Sequence, residues 1–178
     1  MKILIVSQYF HPENFRLNDV ALKLQNRGYK IDVLTGVPNY PSGKLFKNYS
    51  WRKKYIDSYF GVKIYRVPLF LRRDSKGWQL ALNYLSFMVM ASLFGPVLLR
   101  KRKYDIVISV NYSPATVGVP GLLMSKIKKT PMIFWVHDLW PQSLMATGAI
   151  SSPFILNMVA KMMSWIYKKS ELIFVQSE

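Results

Sequence analysis

The sequence predicts an α/β domain built on a doubly wound parallel sheet. Short segments rich in valine and isoleucine are nearly continuous in apolar character, as expected of parallel strands that are covered on both faces. These segments alternate with stretches of helical periodicity, and this order is typical of βαβ units. With 178 residues the chain has the length of one ordinary domain, so we expect a single domain over residues 1–178.

The strands and helices can be placed along the chain from composition and end signals. The predicted strands are Lys2–Ser7, Lys30–Thr35, Val62–Val67, Asp105–Val110, Pro131–Val136 and Leu172–Val175. A helix is predicted over residues 18–26, where Gly28 ends it. Two more are predicted after Ser113-Pro114 and after Ser152-Pro153, because proline is favoured in the first turn of a helix. The last of these is expected to run to about Lys169.

The net charge of +16 is concentrated in one part of the chain. Residues 33–104 hold 14 Lys and Arg against 2 Asp, which is +12 of the total. The densest parts are residues 44–54 and the run of Arg100, Lys101, Arg102 and Lys103. Such a field predicts an anionic partner, which can be a nucleic acid, a membrane surface or a phosphorylated substrate. The alternative is a basic surface that only keeps the protein soluble.

Composition also excludes some kinds of site. The chain has no cysteine and only two histidines, His11 and His137, so neither a thiolate site nor a multi-histidine metal site can be built. Residues 1–6 predict a strand and lack the features of a signal peptide. We therefore expect a cytoplasmic protein.

The first candidate site is the pair His137 and Asp138, which follows the apolar run Pro131–Val136. In an open α/β sheet, ligands bind at the carboxyl ends of the strands. A titratable pair at this position predicts a functional site. The alternative is a hydrogen bond between the two side chains that only fixes a loop.

The second candidate site is the loop after the first predicted strand, residues 7–16. It contains no glycine, so it can form neither the Rossmann dinucleotide turn nor a phosphate-binding P-loop. Glu13, Asn14 and Arg16 are nevertheless suited to hydrogen-bond a polyhydroxylated or anionic ligand. The alternative is that Asn14 or Asp19 caps the following helix and Arg16 is solvated.

The segment from Gly77 to Leu99 contains 23 residues without a charge, which is long enough to cross a membrane. A single crossing would separate the strands before and after it, which then could not share a sheet. We therefore expect no span. The segment carries a narrow polar stripe and a predicted break, and these positions are Gln79, Asn83, Ser86 and Gly95-Pro96.

The rest of this segment is apolar, which is more than a helix needs to pack on a sheet. The surplus apolar surface includes Trp78, Tyr84, Leu85 and Met88, and the basic run 100–103 follows it. This combination predicts a helix that lies in the bilayer interface, on an anionic membrane surface. The alternative is a core helix that a partner domain covers.

Several motifs together resemble one family. They are Ser7-Gln8-Tyr9-Phe10-His11-Pro12-Glu13-Asn14-Phe15-Arg16, Arg27-Gly28-Tyr29, residues 34–44, Val136-His137-Asp138-Leu139-Trp140-Pro141 and residues 174–178. The chain resembles the N-terminal half of family 4 glycosyltransferases of the GT-B fold. It is most similar to the bacterial branch that builds surface polysaccharides, including the colanic-acid and N-acetylfucosamine transferases. The loop Pro38-Asn39-Tyr40-Pro41 and the turn His137–Pro141 are specific to this branch.

The resemblance implies two Rossmann-like domains that face a cleft. The N-terminal domain, here residues 1–178, takes the acceptor, and a donor domain outside this chain binds the nucleotide-sugar. The resemblance places His137 near the transferred sugar and implies retention of anomeric configuration without a metal or other cofactor. The sequence contains no Asp-x-Asp pair. Where many family members have paired glycines after the first strand, this chain has Glu13-Asn14.

The loop from Pro38 to Lys44 follows the second predicted strand at the same sheet edge as His137. Its Asn39, Tyr40 and Lys44 side chains are expected to point outward and to contact the acceptor. We expect that acceptor to be a sugar on polyprenyl diphosphate, whose tail and headgroup would explain the apolar helix and the basic loops.

Together these features predict the acceptor-binding half of a retaining glycosyltransferase, peripheral on the cytoplasmic face of the inner membrane. The donor domain would be in the same or a separate chain. The alternative is a non-enzymatic basic α/β module that binds a membrane or a nucleic acid. No nucleic-acid-binding motif is recognised, so nucleic acid is not expected as a partner.

Overall fold

The computed structural model describes residues 1–50, 56–72, 77–146, 148 and 150–175. Within this part of the chain, seven strands form one sheet in the order β3-β4-β2-β1-β5-β6-β7. The strands are β1 (Lys2–Val6), β2 (Lys30–Gly36), β3 (Ile56–Tyr59), β4 (Val62–Val67), β5 (Ile106–Asn111), β6 (Met132–Val136) and β7 (Leu172–Val175). All neighbouring pairs are parallel except β3 and β4. The predicted α/β class with a mostly parallel sheet is confirmed.

The strand β3 was not predicted from the sequence. It is a short edge strand that forms an antiparallel hairpin with β4. The turn is Phe60-Gly61, and both residues have positive φ, 44° and 87°. Two consecutive residues of positive φ are typical of a type I′ hairpin turn, in which glycine is favoured. The glycine was the available signal, but a four-residue strand with two polar residues is too short to predict by alternation.

The helices are α1 (Arg16–Asn26), α2 (Gly77–Leu98), α3 (Gly118–Lys128), α4 (Gln142–Ala146) and α5 (Pro153–Lys169). The helix predicted after Pro114 begins as a 3₁₀ turn, Ala115–Val117, before α3. Helix α4 was not predicted. The helix predicted over 153–169 is confirmed, with proline in its first turn.

Helices cover both faces of the sheet. Ile3 and Ile5 of β1 pack in a core cluster with Leu17 and Ala21 of α1. The alternate β1 residues Leu4 and Val6 face the opposite side, where they join the cluster of α2, α3 and α5. This alternation follows from the two-residue repeat of a strand. The sheet is therefore covered on both faces, by α1 on one and by α2, α3 and α5 on the other.

Helix α2 buries Gln79 and Asn83 of its polar stripe and leaves Ser86 half-buried. Gln79, Asn83, Phe87, Ala91 and Gly95 recur every four residues and are the buried positions of the helix. The Asn83 side chain accepts a hydrogen bond from Gln8 Nε2 (2.6 Å) and donates one to the Phe70 carbonyl (2.6 Å). The amide thus replaces apolar packing with hydrogen bonds to the loops after β1 and β4.

The predicted break at Gly95-Pro96 is wrong, because α2 runs through Pro96 to Leu98. Pro96 lies in the last turn, where few further backbone hydrogen bonds depend on it. Gly95 is needed for close packing, since a Cβ there would lie 2.8 Å from Leu34 Cδ2. Lys128 Nζ donates to the Leu99 carbonyl (2.6 Å), which satisfies a carbonyl beyond the helix end.

In the described ranges, α2 is the helix that is long and apolar enough to cross a membrane by length and composition. Its most apolar window has a mean hydropathy of 1.6, and 22% of that window is buried. The strands before and after it, β4 and β5, lie in the same sheet. Helix α2 packs on that sheet, against β2 and β4. From the sequence, the strands on both sides of this segment are expected to share a sheet.

Candidate functional site

The candidate site lies at the carboxyl edge of the sheet, where the strand order reverses. The chain proceeds from β1 to β2 and β4 on one side and places β5 on the other side of β1. Loops that leave β1 and β5 at this point diverge and open a crevice. The ring of Phe15, after β1, lies 5.2 Å from the ring of Tyr112, after β5, across the reversal point.

Aromatic rings from four strand ends form a continuous path along this edge. Phe15 stacks on Tyr9 (centroids 5.1 Å) and lies 5.2 Å from Tyr40, which follows β2. Tyr112 continues the path to His137, after β6, with centroids 4.3 Å apart and an interplanar angle of 26°. The predicted loops therefore meet, as their positions after parallel strands required.

His137 is held in place at this edge but keeps one ring nitrogen free. Its backbone N–H donates to the Asn111 carbonyl (3.0 Å), and its ring also lies 4.6 Å from the ring of Trp135. Nε2 is buried and has no hydrogen-bond partner in the described part of the chain. Burial, and then the charge of Arg16, hold the pKa of His137 below its usual value. The site therefore favours the neutral imidazole, in which Nε2 still needs a hydrogen-bond partner.

Asp138 does not orient this imidazole. Its Oδ2 accepts a hydrogen bond from the indole Nε1 of Trp140 (3.0 Å). Its backbone carbonyl accepts another from Asn111 Nδ2 (2.8 Å). These contacts fix Trp140 in the turn after β6, and the catalytic role of Asp138 stays a prediction. The alternative interpretation was a hydrogen bond between the His137 and Asp138 side chains that fixes the loop. The described residues show no such bond.

Glu13 connects two loops of the edge. Its side chain is buried, with 1% exposed. Oε1 accepts from the backbone N–H groups of Asn39 (2.9 Å) and Tyr40 (2.7 Å), and Oε2 accepts from Phe10 N–H (3.2 Å). Burial raises the pKa of Glu13 to about 7, although these three bonds lower it. The expectation that Glu13 binds the acceptor is corrected, because its oxygens are occupied by the protein backbone.

Asn14 and Arg16 are exposed beside the crevice. Neither Asn14 nor Asp19 caps α1: the N-cap residue is Phe15, and it forms no side-chain cap bond. Asn18 instead organises the turn, since it accepts from His11 N–H (3.0 Å) and donates to the Glu13 carbonyl (2.8 Å). The charge of Arg16 contributes, after burial, to the lowered pKa of His137, and it opposes the burial that raises the pKa of Tyr112. Arg16 and His137 are thus close together in the structure, and the sequence alone could not specify this proximity.

The loop after β2 differs in part from its prediction. Asn39 is buried, and its Nδ2 donates to the Val37 carbonyl (3.0 Å), so it does not point outward. Tyr40 is 40% exposed, and Lys44 is exposed. Lys47 of the predicted 44–54 segment is also exposed, and its other basic residues, Arg52, Lys53 and Lys54, lie outside the described residues.

Arg72 is a further residue of this edge that the sequence did not predict as a site residue. Its Nη2 donates to the Pro41 carbonyl (3.0 Å), and its guanidinium carbon lies 5.6 Å from the Tyr40 ring centroid. A Cβ on Gly43 would lie 1.9 Å from the Arg72 carbonyl oxygen, so the loop requires glycine there. Arg72 therefore adds a cation to the edge between Tyr40 and α2.

The residues predicted to contact a membrane divide into two groups. Trp78 (58% exposed) and Leu85 (46%) belong to an exposed apolar stripe on α2. The other members of this stripe are Leu82, Val89, Leu93, Phe94 and Val97. Tyr84 and Met88 are only partly exposed, and both line a groove that is described below.

The basic run 100–103 lies at the opposite end of α2 from the candidate site. The neighbouring Asp105 N–H donates to the carbonyl of Lys2, at the start of β1 (2.9 Å). Arg100, Lys101 and Lys103 are exposed, and Arg102 is half-buried with its guanidinium 6.0 Å from the Tyr65 ring. This run can therefore contact a surface parallel to α2 but cannot reach a ligand at the carboxyl edge.

A groove lies between α2, α5 and the turn after β6. It has a volume of about 440 Å³, within the usual range for ligand pockets. Its lining residues are apolar apart from Tyr84, Thr116 and the indole N–H of Trp140. Three of them, Tyr84, Leu85 and Met88, were predicted to face a bilayer, and a groove between α2 and α5 was not predicted.

Among the described residues, no group of three His, Asp or Glu side chains could hold a metal ion. Positive charge at the site comes from Arg16, Lys44 and Arg72. No model of a known protein family matches this chain, and no curated protein sequence is significantly similar to it.

Proposed function

We propose that this chain is the acceptor-binding half of a retaining glycosyltransferase. The enzyme would move a sugar from a nucleotide-sugar to an acceptor on polyprenyl diphosphate, in the synthesis of bacterial surface polysaccharide. The observation that carries the proposal is the His137 imidazole, which follows β6 at the carboxyl edge of the sheet. Its pKa is lowered, it stacks on Tyr112, and its buried Nε2 has no hydrogen-bond partner among the described residues, which a ligand hydroxyl would supply.

The chemistry of the edge suits a sugar with an anionic neighbour. Aromatic rings present apolar faces on which the C–H side of a sugar ring can pack. The Nε2 of His137 can exchange a hydrogen bond with a sugar hydroxyl. Arg16 is exposed beside it and can bind a phosphate oxygen. In this proposal His137 positions the transferred sugar and stabilises charge that develops during transfer, while Tyr40 and Lys44 contact the acceptor.

The site is half of a cleft in this proposal. The nucleotide-sugar would be bound by a donor domain, in the same or a separate chain, that faces the carboxyl edge. The enzyme would need no metal. Arg16, Lys44 and Arg72 would instead supply the positive charge that balances the phosphates. The proposed location is peripheral, on the cytoplasmic face of the inner membrane.

Two exposed surfaces support attachment to a membrane. The apolar stripe of α2 runs from Trp78 to Val97, about 28 Å at 1.5 Å per residue. Helix α5 exposes Phe154 (72%) and Met158 (57%) on the same face of the sheet. Exposed apolar surface of this extent marks a contact with a membrane or another protein. Cations flank the stripe, with Arg72 before it and the run 100–103 after it.

The test is a screen of nucleotide-sugars with the full-length gene product and a lipid-linked acceptor. Label from one nucleotide-sugar should move into the organic-solvent extract. The exposed faces of α2 and α5 also favour a second candidate, a non-enzymatic membrane adaptor. An adaptor would bind vesicles but would move no label from any donor in the screen.

A further inference from the structure

The groove between α2 and α5 is a second binding feature, distinct from the crevice at His137. Its walls include Leu80, Tyr84 and Met88 from α2 and Met158 and Met162 from α5. Methionine side chains adapt to flexible apolar ligands because they are unbranched and polarisable. The groove therefore suits a hydrocarbon chain better than a rigid or polar ligand.

The groove is connected to the candidate site at one end. Trp140 lines the groove, and its indole N–H is held by Asp138, next to His137. The Tyr84 ring lies 6.1 Å from the Trp140 ring, and its hydroxyl is 3.4 Å from Ser113 Oγ, after β5. A ligand in the groove would thus have its polar end at the carboxyl edge of the sheet.

A cation stands at this end. Burial raises the pKa of Tyr84 and of Tyr9, and the nearby charge of Arg72 opposes this rise without cancelling it. Arg72 also lies over the ring of Tyr40. The apolar groove is followed by the guanidinium of Arg72 and then by the aromatic edge. This order of groups is complementary to a hydrocarbon tail, a phosphate and a sugar.

The other end of the groove is continuous with the exposed stripe of α2. Leu85 belongs to both, since it lines the groove and is 46% exposed. A chain could therefore pass from a bilayer at the stripe into the groove. A partner helix fits less well, because a helix with side chains is about 10–12 Å wide and this groove holds only about 440 Å³.

We propose that this groove binds the first isoprenoid units of a polyprenyl diphosphate, with Arg72 on the diphosphate and the rest of the tail in the bilayer. The identity of this ligand rests on the proposed function. The groove would fix how far the acceptor sugar stands from the membrane and so deliver it to His137.

The test measures binding of farnesyl diphosphate, farnesol and inorganic diphosphate to the protein by Trp fluorescence and calorimetry. Farnesyl diphosphate should bind more tightly than either of the other two. Met158→Asn should weaken it about tenfold, equal to about 1.4 kcal/mol, and Val159→Phe should do so by filling the groove. Arg72→Gln should weaken farnesyl diphosphate but not farnesol.

The matched control is Ile127→Asn, an exposed apolar residue of α3 that belongs neither to the groove lining nor to the stripe. It should leave farnesyl diphosphate binding unchanged. Equal weakening by Ile127→Asn and Met158→Asn, or no binding of farnesyl diphosphate, would overturn the proposed groove site. The failure of the proposed function looks different: farnesyl diphosphate would bind as described, but the full-length protein would transfer no sugar. If Met158→Asn and Val159→Phe left sugar transfer unaffected, the groove proposal would be rejected and the proposed function would stand.

Discussion

Glu13 Oε1 accepts a hydrogen bond from the backbone N–H of Tyr40 at 2.7 Å. This bond joins the loop after β1 to the loop after β2, so a buried carboxyl sets the position of the exposed Tyr40 ring. Because the carboxyl has a pKa of about 7, its charge changes near neutral pH, and the connection between the loops should respond.

The first prediction concerns stability and pH. The pKa of Glu13 is raised in the folded state, so the folded protein holds a proton that the unfolded chain releases between about pH 4.5 and 7. The free energy of unfolding should therefore fall as pH rises through this window, by on the order of 3 kcal/mol, and level off above it. Urea unfolding across pH 5–8 measures this.

Glu13→Gln should remove that part of the pH dependence, because the amide does not titrate in this range. The NH₂ group of the glutamine cannot accept the bond from Phe10 N–H. Its carbonyl oxygen can still accept from the N–H groups of the loop after β2. Asp19→Asn, on the exposed side of α1, serves as the control. If Glu13→Gln and the wild type lose stability in parallel as pH rises, the raised pKa is refuted.

The second prediction concerns His137. His137→Phe keeps a ring that can stack on Tyr112 but removes both nitrogens, so the melting temperature should change little. Turnover by the full-length enzyme should fall on the order of 10²-fold or more, as is typical when a transition-state contact is lost. Steady-state kinetics and thermal unfolding are measured on the same preparations.

His11→Ala is the matched control, because His11 also stacks on a tyrosine, Tyr59, at 3.8 Å but lies away from the crevice. It should leave turnover within a few-fold of wild type. In the wild type the acid limb of the pH profile should lie below the ordinary histidine pKa of about 6.5. Full activity in His137→Phe would return this residue to a purely structural role.

The third prediction concerns the acceptor loop. Lys44→Ala should raise the KM for the lipid-linked acceptor and leave the KM for the nucleotide-sugar unchanged. A charge-assisted bond is worth roughly 1.5–3 kcal/mol, and the exposure of Lys44 favours the lower end. Lys47→Ala, an exposed lysine nearby, is the control. An acceptor KM that Lys44→Ala does not move would make Lys44 a solvated surface charge.

The fourth prediction concerns membrane attachment. The protein should float with anionic liposomes and dissociate as salt rises, because screening shortens to roughly 8 Å at physiological ionic strength. Replacing Leu85, Val89 and Leu93 by Ser should abolish flotation, while Phe60→Ser, equally apolar and 78% exposed on the β3–β4 hairpin, should not. Attachment that only detergent releases would favour a span, and no attachment would favour a partner protein on α2.

Much of the fold was predictable because parallel strands carry their signal in local composition. The six predicted strands are all present, and no bound is shifted by more than one residue, as at Lys2–Val6 and Ile106–Asn111. The edge strand β3 was missed because its four residues carry two polar side chains. Its partner and its turn decide its structure, and neither is a local property.

The candidate site was predictable in position but not in detail. Strand order places His137 and Arg16 at one edge, and their residue types are suited to that position. The burial of Glu13 and Asn39 was not predictable, because it depends on which backbone N–H groups each loop leaves unpaired. The polar face of α2 shows the same effect: Asn83 is buried because Gln8 and Phe70 supply its partners.

The most direct test of the account is transfer of labelled sugar by the full-length protein to an acceptor on polyprenyl diphosphate. We expect transfer from one nucleotide-sugar, in the presence of a metal chelator, with the donor's anomeric configuration retained in the product. Residues 1–178 alone should be folded but inactive. Absence of transfer from every nucleotide-sugar tested, by a full-length protein that is folded and bound to vesicles, would contradict it.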